Sequence, residues 1–144
     1  MYKHILIATD GSDLARKALA DGLALAKGVG ARVTIVVVTE PWATDVPAQV
    51  MSQPFVQEFE RAAADRAQAI LENAAAAAKD AKVEFSTLHV RDRYPAEGIL
   101  EAAKAGCDLI VMASHGRRGL ARFVLGSAAN EVVTQSKVPV LVCR

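Results

Sequence analysis

Short apolar runs alternate along the chain with segments in which apolar residues recur every three or four positions. A continuous apolar run is typical of a strand buried on both faces, whereas the longer spacing is typical of a helix with one buried face. The runs predict five strands, at residues 5–8, 33–38, 83–90, 109–113 and 138–142.

The spaced segments predict helices whose ends carry suitable boundary residues. Ser12 can cap the first helix, and the Gly28-Val29-Gly30 segment closes it. Pro54 fits the first turn of a long second helix, which continues through an alanine-rich tract of high helix propensity. Pro95 starts a third helix, which is expected to end at Gly106.

The remaining segments are a fourth helix and a long polar connection. The helix is predicted from residue 127 to about residue 135. Residues 39–53 contain two prolines and show no clear secondary structure. A connection of this length could serve as a lid or as a partner surface.

Regular alternation of strand and helix predicts the fold class. We expect an α/β fold, with one doubly wound, Rossmann-like parallel sheet of five strands and helices on both faces. No composition shift divides the chain, so residues 1–144 are expected to form one domain. With strand order 3-2-1-4-5, ligands would bind where the order reverses, at the carboxyl ends of strands one and four. Residues 9–12 and 113–116 would then face each other across one crevice.

Composition narrows the function classes. The chain is 52% hydrophobic but only 5% aromatic, so aliphatic residues must fill the interior. A net charge of +1 does not indicate a basic surface that would bind nucleic acid or an anionic membrane. No apolar run approaches the roughly 20 residues that span a bilayer, and the N-terminus does not resemble a signal peptide. We therefore expect a cytoplasmic protein, with Cys107 and Cys143 buried and reduced.

The segment after strand four carries the clearest chemistry. The apolar run ends at small and polar residues, a loop containing Gly116 follows, and Gly126-Ser127 opens the last helix. Glycine lets backbone N–H groups approach a ligand without an intervening Cβ. A helix N-terminus adds unpaired donors and a positive dipole, which suits an anion. The segment therefore predicts a site for the phosphates of a nucleotide.

Six segments distributed over the whole chain share a family pattern: residues 3–12 (KHILIATDGS), 95–96 (PA), 107–112 (CDLIVM), 114–119 (SHGRRG), 126–127 (GS) and 138–142 (VPVLV). Together they resemble the universal stress proteins of the UspA-like kind over essentially the full length. The nucleotide-binding branch of that family carries the motif G-x2-G-x9-G-[S/T]. Gly116, Gly126 and Ser127 match it, whereas Ala113 stands at the first glycine.

The resemblance implies binding of ATP, with Mg²⁺ as a possible companion, and no catalytic residue. It implies that Asp10 lies near the ribose or a phosphate-bound metal and that Val38 packs near the adenine. It also implies that Met112 and Ala113 line the ribose side. The full set of implied nucleotide-binding residues is Ala8, Thr9, Asp10, Val38, Met112, Ala113, His115, Gly116, Arg117, Gly126, Ser127 and Ala128.

Several of these residues also have ordinary structural interpretations. Asp10 and Ser127 could each be no more than a helix cap. His115 could be a catalytic base, although no nucleophile and orienting acid are arranged around it in the sequence. The arginines at 117, 118 and 122 could clamp phosphate or could simply be solvated. Trp42 and Tyr94 could be partner contacts or covers for the core.

Three functions remain open from the sequence. The first is an ATP-binding stress-response sensor or regulator, with at most slow hydrolysis or autophosphorylation. The second is a stress protein without nucleotide that works through partner contacts, which Ala113 keeps open. The third is a phosphotransfer domain with Asp10 as acceptor. In the predicted order residues 138–142 form an apolar edge strand, and pairing of two such edges would give a homodimer.

Overall fold

Strands and helices alternate in the computed structural model, which describes residues 1–41, 47, 49, 51–116 and 124–144. In chain order the elements are β1 (His4–Ala8), α1 (Asp13–Val29), β2 (Arg32–Thr39), α2 (Gln53–Ala81), β3 (Phe85–Arg91), α3 (Pro95–Ala103), β4 (Leu109–Ala113), α4 (Ser127–Gln135) and β5 (Val140–Cys143).

The sheet has the order β3-β2-β1-β4-β5, and every strand pair is parallel. This confirms the predicted α/β, doubly wound fold. Strand β1 lies between β2 and β4, so the order reverses between β1 and β4. The crevice expected of such sheets is therefore at the carboxyl ends of these two strands.

Alternate residues of each strand face two separate hydrophobic layers. Ile5, Ile7 and Ile35 pack with α1 and α2 on one face of the sheet. Leu6 and Ile110 pack with α3 and α4 on the other. These five side chains are fully buried, and burial of each contributes about 1.5–3 kcal/mol. The layers hold the strand ends in fixed positions.

Helix boundaries follow the predicted caps at α1 and α2. The Ser12 hydroxyl accepts a hydrogen bond from the Ala15 amide, and Gly30 adopts the left-handed conformation (φ 71°) after the last turn of α1. Pro54 lies in the first turn of α2. From Gln53 to Arg66 no residue of α2 is buried, and its buried residues begin at Ala67.

Three predicted boundaries are wrong by two residues or more. Helix α3 ends at Ala103 rather than at Gly106, because the chain turns over residues 104–106. Strand β3 begins at Phe85, since the Val83 amide instead bonds the Ala78 carbonyl at the end of α2. Strand β5 begins at Val140, after Pro139, which has no amide hydrogen to donate.

Both cysteines are buried and unbonded to one another, as predicted. Burial is the main cause that raises the pKa of each thiol above its ordinary value. The thiolate form needed for reaction is therefore disfavoured. Among the described helices, none combines the length and the apolar character needed to cross a bilayer.

Candidate functional site

The chain leaves β1 through a tight, hydrogen-bonded turn. Ala8 and Thr9 are buried, and the Thr9 amide donates to the Val36 carbonyl at 3.0 Å. The Ser12 amide donates to Oδ1 of Asp10 at 2.9 Å. Gly11 has φ 78°, a backbone conformation that is strained for residues with a Cβ. The cap of α1 is Ser12, so the interpretation of Asp10 as the helix cap is wrong.

The carboxyl end of β4 contains the position at which the family motif has its first glycine. Met112 is buried, and Ala113 is half-buried and pairs with Cys143 of β5. Because Ala113 is the last residue of a regular strand, its backbone is extended. An L-residue adopts that conformation without strain, so no glycine is required there for backbone reasons.

The two strand ends meet at Gly116. A Cβ built on this residue would lie 2.9 Å from Oδ2 of Asp10, which is closer than such atoms approach. The absence of a side chain at Gly116 therefore lets the loop after β4 approach the carboxylate after β1. The structure thus brings Asp10 and Gly116 together across the crevice, as the strand order predicts.

A second glycine brings the same loop against the start of α4. The Gly126 amide donates to the Ser114 carbonyl at 2.7 Å, and a Cβ at Gly126 would lie 3.0 Å from that oxygen. Gly126 is the N-cap of α4, so the interpretation of Ser127 as the cap is wrong. Ser127 is exposed in the first turn and is followed by half-buried Ala128. The first amides of α4 have no partner within the helix.

His115 precedes Gly116 in the chain and lies against Gly126. Its Nδ1 is 2.9 Å from the Ser114 hydroxyl, and its Nε2 is buried without a hydrogen-bond partner among the described residues. The Ser114 side chain is itself buried, with 3% of the residue exposed. A hydroxyl that substrate cannot reach is a poor nucleophile, so the pair does not resemble a hydrolytic dyad.

Val38 lies further from these contacts. It is half-buried near the end of β2, and a Cβ on Gly98 of α3 would lie 2.6 Å from its Cγ1. Tyr94 is exposed and is the N-cap of α3. Arg117, Arg118, Arg122 and Trp42 lie outside the described residues, so their predicted roles stay predictions.

Ser114 is the residue of this region that the sequence analysis did not single out. Its amide donates to the Cys143 carbonyl at 2.7 Å, and its carbonyl accepts from Gly126. It thereby joins β5, the loop and α4. The available signal was a small polar residue placed between the end of an apolar run and a histidine.

Over the described parts of the chain, no three His, Cys, Asp or Glu side chains come together as a metal-binding group. A phosphotransfer domain that used Asp10 would want such an acidic cluster for Mg²⁺. The interpretation of Asp10 as a phosphoacceptor therefore gains no support. The described residues of this region bring backbone amides, hydroxyls and one imidazole close to the Asp10 carboxylate.

The fold and these contacts define a class: a doubly wound α/β protein with a glycine-lined crevice at its switch point. The model of the universal stress protein family matches residues 1–144. The chain belongs to the universal stress protein family.

Individual relatives resemble this chain in sequence and structure over nearly their full lengths. The chain is 37% identical over 145 residues to a universal stress protein of Thermus aquaticus, covering 100% of both. Universal stress protein UspA from Lactobacillus plantarum superposes with a TM-score of 0.83 at 27% identity, over 99% of this chain and 98% of that one. A universal stress protein in complex with cAMP superposes with a TM-score of 0.71 at 25% identity, over 99% and 97%.

Proposed function

We propose that this universal stress protein binds an adenine nucleotide, ATP foremost, in the crevice between β1 and β4. It acts as a cytoplasmic stress-response sensor or regulator rather than as an enzyme, with at most slow hydrolysis or autophosphorylation. The observation that carries the proposal is the approach of Gly116 to Asp10, where a Cβ would lie 2.9 Å from the carboxylate. A side chain at either glycine of the loop would fill the space in which backbone amides can reach phosphate.

Each proposed contact matches the chemistry of one part of the nucleotide. The amides around Gly116, Gly126, Ser127 and Ala128 suit phosphate oxygens. Thr9, Asp10, Met112 and Ala113 lie where β1 and β4 end and suit the ribose, with Ala8 just behind them. Val38 is assigned to the adenine, and Arg117 to phosphate. Mg²⁺ would be held by Asp10 together with phosphate oxygens, since Mg²⁺ prefers oxygen ligands.

The related protein crystallised with cAMP supports an adenine nucleotide as the ligand class. The alanine in the motif is compatible with it, because Ala113 is extended and needs no positive φ. That alanine still favours one alternative, a universal stress protein without nucleotide that works through partner contacts. Direct binding measurements separate the two functions.

The test is calorimetric titration of purified protein with ATP, ADP, AMP and cAMP. Wild type is expected to bind saturably, and Gly116→Val is expected to lose binding because its side chain collides with Asp10. Gly28→Ala is the matched control, because a Cβ at Gly28 meets nothing within 4 Å. Absence of saturable binding to the wild type would favour the alternative function, that of a universal stress protein that binds no nucleotide and works through partner contacts.

We also propose that residues 1–144 act as one domain that forms a homodimer through β5. This strand is at the edge of the sheet, and Leu141 on it is 40% exposed. Apolar edge strands associate unless they are covered. Leu141→Arg is expected to shift the molar mass in light scattering from dimer to monomer, whereas Thr87→Arg on the opposite edge strand should not. A monomeric wild type would contradict the proposal.

A further inference from the structure

The first half of helix α2 carries an apolar stripe that belongs to neither described hydrophobic layer. Phe55 and Phe59 are 37% and 41% exposed, and Ala62 and Ala69 continue the same line along the helix. Successive spacings of four, three and seven residues keep these four side chains on one side. Arg66 stands between the two alanines, and its aliphatic stem can lie along the stripe. The exposed apolar stripe is therefore about 21 Å long.

This stripe is distinct from the face by which α2 packs on the sheet. The packing face consists of the buried residues Ala67, Leu71, Ala74 and Ala78. With 3.6 residues per turn, that line lies roughly a third of a turn around the helix from the exposed apolar stripe. The contacts of α2 with the sheet therefore leave the stripe accessible to another molecule.

A row of carboxylates runs along one side of the exposed apolar stripe. Glu58, Asp65 and Glu72 are seven residues apart, and all three are exposed. None of them takes part in an ion pair among the described residues. In a pair of helices, charged residues that flank an apolar stripe at this spacing face the other helix and determine which partner binds. This acidic row therefore favours a helix with basic residues on its facing side.

We propose that the exposed apolar stripe and the acidic row bind an amphipathic helix of a partner protein. Its apolar residues would cover Phe55 and Phe59, and a row of Lys or Arg would face the carboxylates. A second copy of this chain fits less well. Antiparallel pairing of two α2 helices would place one acidic row against the other, and parallel pairing would place it against Val56 and Ala63, which carry no positive charge.

The first test uses a synthetic helical peptide of three heptads, with leucine in its apolar stripe and lysine at the flanking positions. We expect the labelled peptide to bind the full chain saturably in fluorescence anisotropy and to slow amide exchange over residues 53–66. The chain has a net charge of +1, so general attraction of a basic peptide is not expected. The same peptide with glutamate for lysine should not bind. Absent binding of the lysine peptide, or equal binding of both, would overturn the proposal.

The apolar contact is tested by Phe59→Ser. We expect about tenfold or more weakening of the lysine peptide, as for loss of an aromatic anchor at an interface. Val133→Ser is the matched control, because Val133 is an apolar residue of α4 that is 46% exposed, and it should leave peptide affinity unchanged. Both side chains are exposed, so the urea midpoint of each variant should stay near that of the wild type. Equal affinity in Phe59→Ser and the wild type would overturn the proposal.

The charge contact is tested by a reversal. The double variant Glu58→Lys, Asp65→Lys should lose the lysine peptide and gain the glutamate peptide. Glu60→Lys makes the same change two residues from Glu58, on the opposite side of the helix, and should keep the wild-type preference. A double variant that still prefers the lysine peptide, or that binds neither peptide, would overturn the proposal.

Light scattering separates a partner protein from a second copy. Phe59→Ser should leave the molar mass of the protein unchanged. A lower molar mass would show that a second copy occupies the stripe and would overturn the proposal. The proposed dimer through β5 is a separate matter, because α2 packs on β2 and β3, away from that edge of the sheet. Nucleotide binding is likewise separate, and its absence would not affect the peptide measurements.

Discussion

The amino and carboxyl ends of the parallel sheet differ in how far their polar groups are hydrogen-bonded to one another. At the amino end the Arg32 guanidinium donates to Nδ1 of His4 at 3.3 Å, and Nε2 of His4 lies 2.8 Å from the Thr34 hydroxyl. That hydroxyl lies 3.1 Å from the Ser86 hydroxyl. Asp108 accepts from the His4 amide at 3.1 Å. These groups bond one another across β1, β2, β3 and the start of β4.

The carboxyl end instead has two glycines in close contacts and a buried imidazole nitrogen without a partner among the described residues. Gly116 lets the loop approach Asp10, and Gly126 lets it approach the start of α4. The first amides of α4 have no helical partner, and Nε2 of His115 is unbonded among the described residues. A groove of about 130 Å³ also exists at the amino end, lined by His4, Arg32 and Ser86 among others. The side chains of four of its lining residues, His4, Arg32, Thr34 and Ser86, are already bonded to one another. The bonded polar groups of the amino end stabilise the sheet, whereas the carboxyl end is the place at which we propose that the nucleotide binds.

The strongest test of this division is His4→Ala. The change removes a buried imidazole, so the Thr34 hydroxyl and the Arg32 guanidinium lose their hydrogen bonds to it. We expect a loss of about 2–4 kcal/mol in the free energy of unfolding, measured by urea denaturation. ATP affinity should not change. A loss of ATP affinity at unchanged stability would break the comparison.

Gly98→Ala should affect both properties, because Gly98 lies against Val38 at the carboxyl end of β2. The new Cβ would lie 2.6 Å from Cγ1 of Val38, so α3 or the valine must move. We expect about 1–3 kcal/mol of destabilisation together with weaker ATP binding.

Gly28→Ala serves as the control for Gly98→Ala. It lies in α1, where alanine favours the helix, and it should stabilise by up to about 1 kcal/mol without changing ATP affinity. Weakened ATP binding in this control, or full ATP affinity in Gly98→Ala, would contradict the assignment of Val38 to the adenine.

A smaller effect is expected from pH, through His4 at the amino end of β1 and His89 near the carboxyl end of β3. Burial first and the charge of Arg32 second hold the pKa of His4 below its ordinary value of 6.5. Burial and Arg91 lower the pKa of His89 in the same way. The unfolded chain then binds more protons than the folded chain below about pH 6.5, so stability must fall as the pH drops through this range.

The measurement is the urea midpoint at pH 7.5, 6.5 and 5.5. The fall should be smaller in His4→Gln. The pKa of Asp108 is also lowered, mainly by the hydrogen bond from the Lys3 amide, but its contribution is lost only below its ordinary value of 3.8. It therefore lies outside this window. A stability that rises between pH 7.5 and 5.5 would contradict the assignment.

The smallest effect is expected from Ala113→Gly, which restores the family motif. Because Ala113 is extended within β4 and packs against the core, glycine adds chain entropy to the unfolded state and removes a half-buried methyl group. The cost should be about 0.5–1 kcal/mol. ATP affinity should stay within the error of calorimetry. A large gain in affinity would show that the Ala113 methyl group obstructs the ligand.

The alternation of elements could be predicted because the spacing of apolar residues determines it. The switch point could be predicted only by way of the strand order expected of this fold class. The last residue of α3 and the first residues of β3 and β5 could not be predicted. Turns and paired amides at those places depend on local contacts that hydrophobic spacing does not encode. The hydrogen-bond partners of His4 could not be predicted for a related reason. His4, Thr34 and Ser86 meet only through the register in which His4 is opposite Arg32 and Thr34 is opposite Ser86.

The first half of helix α2 is much less buried than the second half, and this affects its stability. Its 29 residues extend for about 44 Å, yet burial begins only at Ala67. The first half is thus held mainly by its own backbone, which stabilises an isolated helix only marginally. Deuterium should replace amide protons much sooner before Ala67 than after it, and brief trypsin treatment should cut at Arg61 while the sheet stays intact.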